Sequence, residues 1–394
     1  MIFPRWLVMT ITGLVFSIFV TLAIAYLPFE SILPQGPEKR IRDWRTYLLS
    51  PHAPKQRSDI AVVLITEDSL SRYAYRSPID RALLSAIVRD LNEAGASAIG
   101  LDFIFDRPTE LKKDAALLEG IKSSSAPIIL GGIDYRASQV KKWSLEFHND
   151  FLKKTGWPVG HLFFGATGDN LTIGDNVIRR SAPVDAGRKM KKSFARLLAD
   201  VDGIKPVRNN TLIAWQHRPV DETSEIFSTF RIPPHNPVVI TEDDSRNDNQ
   251  ILPKAWWSAL KGKIVLVGGD LYDSDKHLTP MSVASKQRVP GVIIHANLVA
   301  QIRDGRSVHE LSHPFEITLV AVLTMIGFLL GWQYQLRRYD LMIGIVGTLA
   351  VVGIGALAFW LIPLVVPTSF LAVWLLGVSG GHYASQIMTR DTNE

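Results

Sequence analysis

Hydrophobic residues are concentrated at the two ends of the 394-residue chain, whereas the middle alternates between short apolar runs and polar stretches. Four apolar runs are long: Trp6 to Leu27, Phe315 to Trp332, Leu341 to Ile362 and Val365 to about Ile387. An α-helix needs about 20 apolar residues to cross the hydrocarbon core of a bilayer. The pattern therefore predicts four transmembrane helices, the first as an N-terminal anchor in residues 1–27 and the other three as a bundle in residues 314–387.

The first apolar run could also belong to a cleaved signal peptide, because Ala23-Ile24-Ala25 resembles a cleavage site. The run is longer than the roughly 7–15 residues of a signal peptide's hydrophobic region. We therefore expect an uncleaved anchor.

Basic residues lie beside alternate ends of these spans. Arg5, Arg337, Arg338 and Arg390 flank one set of ends, and the connection between the third and fourth spans has no Lys or Arg. Basic residues favour the cytoplasmic side of a membrane. We therefore expect both termini in the cytoplasm, including a short tail of residues 388–394, and residues 28–313 on the outer side, which in a bacterial inner membrane is the periplasm.

Glycines recur at a spacing of four residues in the second and fourth spans, as Gly327 and Gly331 and as Gly377 and Gly381. Small residues at this spacing let helix backbones approach closely in lipid. The pattern indicates helix packing, although glycine is also simply common in membrane helices.

Short apolar runs rich in β-branched residues alternate with amphipathic stretches in residues 28–313. Strands are expected in IAVVLIT after Asp59, AIGLDFIF after Ser97, PIILGG after Ala126 and IVLVGG after Lys263. Helices are expected from Ser77-Pro78 to Gly95, from Asp114 to about Lys122, from Ser193 to Asp200 and from Val292 to Ile302. This alternation predicts an α/β fold with a mixed, mostly parallel sheet covered by helices. Two polar stretches, Lys141–Thr155 and Thr241–Gln250, are expected to be surface loops.

The amino-acid composition excludes several kinds of functional site. The chain has no cysteine, which excludes disulfides, zinc-thiolate sites, iron–sulfur clusters and thiol nucleophiles. Hydrophobic residues make up 47% of the chain and charged residues 21%, and the net charge of +5 is small for this length. No Lys/Arg block with interleaved aromatic residues stands out, so we expect no nucleic-acid partner.

Polar residues collect where the expected strands end. Thr66, Glu67, Asp68 and Ser69 follow the first strand, Asp102 and Asp106 lie in and just after the second, and Gly268, Gly269 and Asp270 end a later one. Open α/β sheets bind ligands at the carboxyl ends of their strands. Because Asp102 has apolar neighbours, an ionised carboxylate there needs a partner, for which Arg81 is the candidate. The alternative is that Asp102 only holds the fold.

The outer segment contains VVLITEDSL, RSPIDRALLSAIVRDLNEAGASAIGLDFIFDRP, NVIRRSAPV, LKGKIVLVGGDLYDSDKHLTP and VPGVIIHANLVAQIRDG in this order. These stretches resemble the CHASE type-two domains, which are extracytoplasmic sensory domains associated with cyclases and histidine kinases. One helix before the domain and three after it are also the arrangement of such sensors. By resemblance, the positions matching the family's motifs are Pro78, Arg81, Asp102, Asp106, Asp275, Thr279, Pro280, Gly291 and His295. Together with the strand-end carboxylates they give a candidate ligand-binding set: Asp68, Arg81, Asp102, Asp106, Asp270, Asp275, Thr279 and His295.

The chain departs from the family's pattern in two respects. Thr66 stands where the family usually has an acidic residue, which puts an anion or metal role of that position in doubt. Relatives commonly continue into a kinase or cyclase domain, whereas Met388 to Glu394 follow the fourth span here. We therefore expect no catalytic output in this chain.

The sequence contains one short motif that is typical of an enzyme class. His309-Glu310-Leu311-Ser312-His313 matches the H-E-x-x-H zinc motif of metalloproteases. That motif works only on one helix, and Pro314 disfavours helical geometry at His313. No glycine fingerprint for phosphate, either G-x-G-x-x-G or the P-loop type, occurs in the sequence. His161, His277 and His295 could assemble a metal site with nearby Asp residues, but scattered histidines are more often structural. We expect no catalytic residue, no metal and no cofactor.

These observations favour a non-catalytic inner-membrane sensor. Its periplasmic domain would bind a ligand or protein and pass its state to a separate partner, such as a kinase or cyclase, or to a second copy of the chain. The alternative is a structural accessory subunit of an envelope secretion or polysaccharide-export complex. A sensor predicts a small polar-lined pocket near Asp68, Asp102 and Asp270, whereas a scaffold predicts a filled sheet edge and an apolar outer patch.

Overall fold

The computed structural model describes residues 4–26, 35–133, 142–164, 177–181, 192–203, 212–221, 225–240, 250–272, 275–333, 337–367 and 369–391. The chain divides into two units. Residues 50–307 form an α/β unit, and residues 1–49 together with residues 308–394 form a helical unit. Helices and strands are numbered in chain order below.

The helical unit contains the apolar ends of the chain. Its helices are α1 (Arg5–Tyr26), α2 (Gln35–Leu49), α9 (His313–Gln333), α10 (Arg337–Leu361) and α11 (Ser369–Asp391), and its strands are β9 (His309–Glu310) and β10 (Leu364–Val365), which pair in parallel. Among the described residues, three helices are long and apolar enough to cross a membrane, namely α1, α9 and α10. The sequence predicted a fourth span, and α11 does form a 23-residue helix there. Its carboxyl half contains Gly, His, Ser and Gln, which makes it less apolar than the other three.

The helices α9 and α11 pack at the four glycines of the repeated spacing, Gly327, Gly331, Gly377 and Gly381. A Cβ on Gly377 would lie 2.6 Å from the carbonyl oxygen of Thr324, and one on Gly331 would collide with the backbone of Val378. The two helix backbones therefore touch because side chains are absent at the crossing. This close approach is how small residues hold helix pairs together in lipid.

The α/β unit is built on a six-stranded sheet. Its strands are β1 (Ile60–Thr66), β2 (Ala98–Leu101), β3 (Ile128–Gly132), β4 (Val159–His161), β5 (Ser228–Arg231) and β6 (Ile264–Asp270). They lie in the order β4-β3-β2-β6-β1-β5, and every neighbouring pair is parallel. The parallel α/β architecture predicted from the sequence is confirmed.

Helices cover both faces of this sheet. They are α3 (Arg81–Glu93), α4 (Leu111–Lys122), α5 (Lys142–Thr155), α6 (Phe194–Ala199), α7 (Lys254–Leu260) and α8 (Gly291–Asp304). Val63 of β1 belongs to the hydrophobic cluster of α3, α4 and α5, and its neighbour Val62 belongs to the cluster of α6 and α8. Burial on both faces explains why this strand is a continuous apolar run instead of an alternating one.

A small antiparallel pair connects β6 to α8. It consists of β7 (Lys276–His277) and β8 (Val289–Pro290), with a 3-10 turn at Pro280–Ser282 between them. The helix α8 begins directly after β8. It packs closely on β6, because a Cβ on Gly268 would lie 2.5 Å from Cβ of Val292.

Two secondary-structure predictions for this unit are wrong. The stretch Lys141–Thr155, predicted as a surface loop, contains α5, whose Phe151 and Leu152 are buried in the core. Its apolar residues share one helical face among many charged ones, so the polar composition conceals the amphipathic period. The strand predicted after Ser97 is shorter than its apolar run, because β2 ends at Leu101. The other predicted loop, Thr241–Gln250, lies outside the described residues except for Gln250.

Candidate functional site

Two carboxyl groups end neighbouring strands of the sheet. Asp102 directly follows β2, and its backbone N–H donates to the carbonyl oxygen of Val267 in β6 at 2.9 Å, while Asp270 is the last residue of β6. Gly100 lies against Phe194 of α6. Because side chains alternate along a strand, Asp102 faces the same helical layer as Gly100, the layer formed by α6 and α8.

Asp102 lies against His295 of α8. Both side chains are 3% exposed, and 3.9 Å separates Asp102 Oδ1 from His295 Nε2. Two aromatic rings enclose the His295 ring, Phe164 stacked with centroids 4.5 Å apart and Phe194 edge-on at 5.2 Å. Asp102 Oδ2 has no hydrogen-bond partner among the described residues. The structure therefore holds a carboxyl group in a largely apolar cage.

Burial sets the protonation state of both groups. Burial, with a smaller contribution from the charge of Asp275, raises the pKa of Asp102 well above its ordinary value. Burial, followed by the nearby His161 and His277, lowers the pKa of His295 to about 3. A lone charge is costly in such surroundings. Burial therefore favours the neutral form of each group over an ion pair between them.

The raised pKa of Asp102 makes the stability of the protein depend on pH. Since folding raises this pKa, the contribution of Asp102 is fully present below its unfolded value and is lost as pH rises, by about 1.4 kcal/mol per pH unit until the folded pKa is reached. We expect Asp102→Asn, which keeps the shape and cannot ionise, to match the wild type at about pH 4 and to be more stable at about pH 8. Urea unfolding of the full chain in detergent at both pH values measures the difference.

Asp68→Asn is the matched control, because Asp68 is exposed in the turn after β1 and its replacement removes no buried group. We expect this variant to follow the wild type at both pH values. An Asp102→Asn variant that gains nothing at the higher pH would show that Asp102 is ionised in the folded protein.

An ion pair and a hydrogen bond surround the connection from β6 to β8. Lys276 Nζ lies 2.8 Å from Asp270 Oδ1, and His277 Nε2 lies 3.0 Å from Asp275 Oδ1. The Asp275 carbonyl accepts the N–H of Gly291 at 2.9 Å, and a Cβ on Gly291 would lie 2.7 Å from Asp275 Cγ, so a glycine is needed there. The structure thus brings four members of the predicted set to one neighbourhood: Asp102, Asp270, Asp275 and His295.

Arg81 does not pair with Asp102. Its side chain is 2% exposed, its Nε lies 3.6 Å from Asp114 Oδ1, and its guanidinium lies 4.6 Å from the centroid of the Phe105 ring. Burial lowers the pKa of Arg81, and the charge of Asp114 opposes that shift. The prediction that Arg81 neutralises Asp102 is wrong, because α3 and α8 cover opposite faces of the sheet.

The remaining predicted residues have local roles. Asp106 pairs with Arg107 at 2.9 Å near the surface. Thr279 is buried and caps the 3-10 turn through reciprocal bonds with Ser282. Since Asp68 is exposed and Asp102 is enclosed, the predicted set does not line one open polar pocket.

The match to known families covers most of the chain. The CHASE2 domain matches residues 15–332. The chain belongs to the CHASE2 family. The resemblance stated from the sequence motifs is therefore confirmed, and CHASE2 is a family of extracytoplasmic sensory domains. No curated protein and no solved structure matches the chain significantly.

Sequence reasoning missed the residues that enclose His295 in this CHASE2 domain. Phe164 follows β4 and Phe194 begins α6, so both are distant from His295 along the chain. A phenylalanine at a strand exit or a helix start has the same sequence pattern whether it fills a core or encloses a histidine. The sequence therefore carried no signal that could have identified them.

The zinc-type motif of the CHASE2 protein is split between two elements. His309 and Glu310 form β9, whereas α9 begins at His313. The predicted lack of one continuous helix is confirmed, and Glu310 lies 2.9 Å from Arg42 in an ion pair. Within the described ranges, no group of three or more His, Asp or Glu side chains has the arrangement to hold a metal ion.

Proposed function

We propose that this CHASE2 protein is a non-catalytic sensor of the bacterial inner membrane. In this proposal the α/β unit lies in the periplasm and binds a ligand or a protein, and both termini lie in the cytoplasm. The domain passes its state to a separate signalling protein, such as a kinase or cyclase, or to a second copy of the chain. The side of the membrane is supported by the basic residues at alternate span ends, Arg5, Arg337, Arg338 and Arg390.

The enclosed Asp102–His295 pair carries the proposal. A buried carboxyl oxygen without a hydrogen bond opposes folding. Buried ionisable groups of this kind are typical of functional sites, and this pair lies at the carboxyl edge, where parallel sheets bind ligands. A ligand that hydrogen-bonds to Asp102 Oδ2 favours an opened arrangement over the closed one. Binding then shifts the population between two states of the domain.

Chain connectivity gives such a change a route to the membrane. His295 lies on α8, which ends at Asp304, and the helical unit begins at Val308. The next helix, α9, packs on α11 through its glycines. In this proposal a shift of α8 is passed to α9 along the chain, through residues 305–312.

Two observations support the absence of catalysis. The zinc-type motif is divided between β9 and α9. Three carboxyl groups near the sheet edge are engaged: Asp102 is enclosed, Asp270 is held in an ion pair with Lys276, and Asp275 is hydrogen-bonded to His277. A catalytic acid or base has to reach its substrate within hydrogen-bond distance.

Membrane sidedness can be tested by labelling, because the chain has no cysteine. We expect the Asp68→Cys variant, exposed in the α/β unit, to react with a membrane-impermeant maleimide added to intact spheroplasts. The Thr392→Cys variant should react only after lysis. Protection of the first variant until lysis would reverse the proposed orientation.

Crosslinking in membranes followed by affinity purification tests the partner. The sensor proposal predicts that a kinase or cyclase is recovered with the protein. It also predicts that the amount recovered changes in cells with the Asp102→Asn variant, in which the site at the sheet edge is altered. Recovery of the chain alone, as a symmetric oligomer, would exclude a separate partner and leave signalling between copies.

A structural accessory subunit of an envelope secretion or polysaccharide-export complex is the second candidate. Exposed apolar side chains after β2 favour it, because Ile104 is 46% exposed and Leu111 is 85% exposed. Apolar residues of this kind suit contact with a neighbouring subunit. The same purification distinguishes the sensor from the structural subunit. If the protein is a structural subunit, export subunits are recovered with the wild type and are lost with the Leu111→Glu variant.

A further inference from the structure

The helix α2 carries its apolar side chains on an exposed face. Ile41, Trp44 and Leu48 are spaced by three and four residues, so they share one side of the helix. They are 45%, 45% and 67% exposed, respectively. These three residues are called the α2 stripe below.

The side of α2 that faces the protein is polar. Asp43 is 5% exposed, and Arg42 Nη2 lies 2.9 Å from Glu310 Oε1. A helix on the surface of a water-soluble protein has the opposite orientation, with its apolar face toward the protein. The inverted arrangement is stable where the medium around the exposed face is itself apolar.

Contacts within the helical unit place α2 at one end of the membrane-spanning segments. Arg45 Nη1 donates to the carbonyl oxygen of Val366 at 2.7 Å, and its guanidinium lies 5.9 Å from the centroid of the Phe359 ring. Phe359 is in the last turn of α10, whose apolar span ends at Leu361, and Val366 follows β10. The hydrocarbon core gives way to headgroups where a span ends. The α2 stripe is therefore exposed at the level of this boundary.

We propose that α2 is an interfacial helix whose stripe inserts between the acyl chains and the headgroups of the leaflet at this end of α10. Tryptophan is enriched at this depth, because its ring is apolar and its N–H is polar. Lys39 and Arg40 precede the stripe and suit the phosphate groups of the same leaflet. The proposal depends on the membrane-spanning helices and not on the sensory function, so either can fail without the other.

Single-cysteine spin labelling tests this proposal on the full chain. The variants Ile41→Cys, Trp44→Cys and Leu48→Cys are labelled and reconstituted into vesicles of phosphatidylethanolamine and phosphatidylglycerol. Collision rates with oxygen, which concentrates in lipid, are compared with those of a water-soluble nickel chelate. Two reference positions bracket the scale: Gly353→Cys, an exposed position of the apolar helix α10, and Asp68→Cys, an exposed position of the α/β unit.

We expect the ratio of oxygen to nickel collisions in the α2 stripe to be several-fold above that of Asp68→Cys and below that of Gly353→Cys, because Gly353 lies deeper in the span of α10. A ratio equal to that of Asp68→Cys at all three positions would show the stripe in water and overturn the proposal. Low collision rates with both reagents, with dipolar broadening that disappears on dilution with unlabelled chain, would show that a second copy covers the stripe and would also overturn it.

Discussion

Replacement of Gly331 or Gly381 by leucine is expected to separate α9 from α11 and to abolish the folded helical unit. A Cβ on Gly331 collides with the Val378 backbone, and one on Gly381 collides with the Phe328 backbone. Overpacking costs about 1–3 kcal/mol where neighbouring side chains can shift. Here the obstacle is the backbone of a helix, which cannot rotate away, so we expect a loss above about 3 kcal/mol. Thermal unfolding and size-exclusion chromatography of the detergent-solubilised chain measure it.

Gly353→Leu provides the matched control for this prediction. A Cβ on Gly353 meets nothing within 4 Å, and this glycine also lies in a membrane-spanning helix. We expect its melting temperature to stay near that of the wild type. A loss of equal size in this control would mean that the effect of leucine does not come from the packing of α9 on α11.

Replacement of Arg81 by methionine is expected to destabilise the α/β unit by about 3–5 kcal/mol, the usual cost of removing one member of a buried ion pair. Arg81 is 2% exposed and Asp114 is 14% exposed, so the remaining carboxylate is poorly hydrated. The substitution also removes the guanidinium from the face of the Phe105 ring, 4.6 Å away. Denaturant unfolding of the full chain, followed by circular dichroism, measures the change.

A double variant distinguishes charge from packing at Arg81. Asp114→Asn keeps one of the two oxygens that accept from Thr109 and removes the charge, so Arg81→Met with Asp114→Asn should recover part of the lost stability. The exposed pair of Arg107 and Asp106 gives the control, because Arg107→Met should change stability by less than about 1 kcal/mol. Equal losses for Arg81→Met and for the double variant would assign the effect to packing alone.

The elements of the sheet were predictable where burial is two-sided. The runs that became β1 and β6 are apolar without interruption, and each is buried between two helical layers. The burial of Asp102 followed from its apolar neighbours in the sequence. The contact between Asp102 and His295 could not be predicted, because it depends on which face of the sheet α8 covers. The strand order decides that face, and the local sequence pattern does not.

Three helices, α2, α5 and α7, escaped prediction, and in α2 and α5 the reason is that the apolar residues are few and separated by charges. In α5 the buried Phe151 and Leu152 stand beside two lysines, so the stretch had the composition of a loop. In α2 the apolar residues point away from the protein, an arrangement for which a search for core-facing helices gives no signal. In both helices the many charged residues on one face make the helical spacing of the apolar residues hard to recognise from composition.

The position of β6 in the sheet has a consequence for how the α/β unit assembles during synthesis. This strand is the last of the six in the chain, yet it pairs with β1 on one side and β2 on the other. Until Ile264 to Asp270 are available, β1 and β2 have no common neighbour and each presents an open hydrogen-bonding edge. Pairing across so long a loop is slow, because the loop must close first. The unit therefore completes its centre last, and a chain cut short before Ile264 contains a sheet divided in the middle, with edges that favour association between incomplete chains.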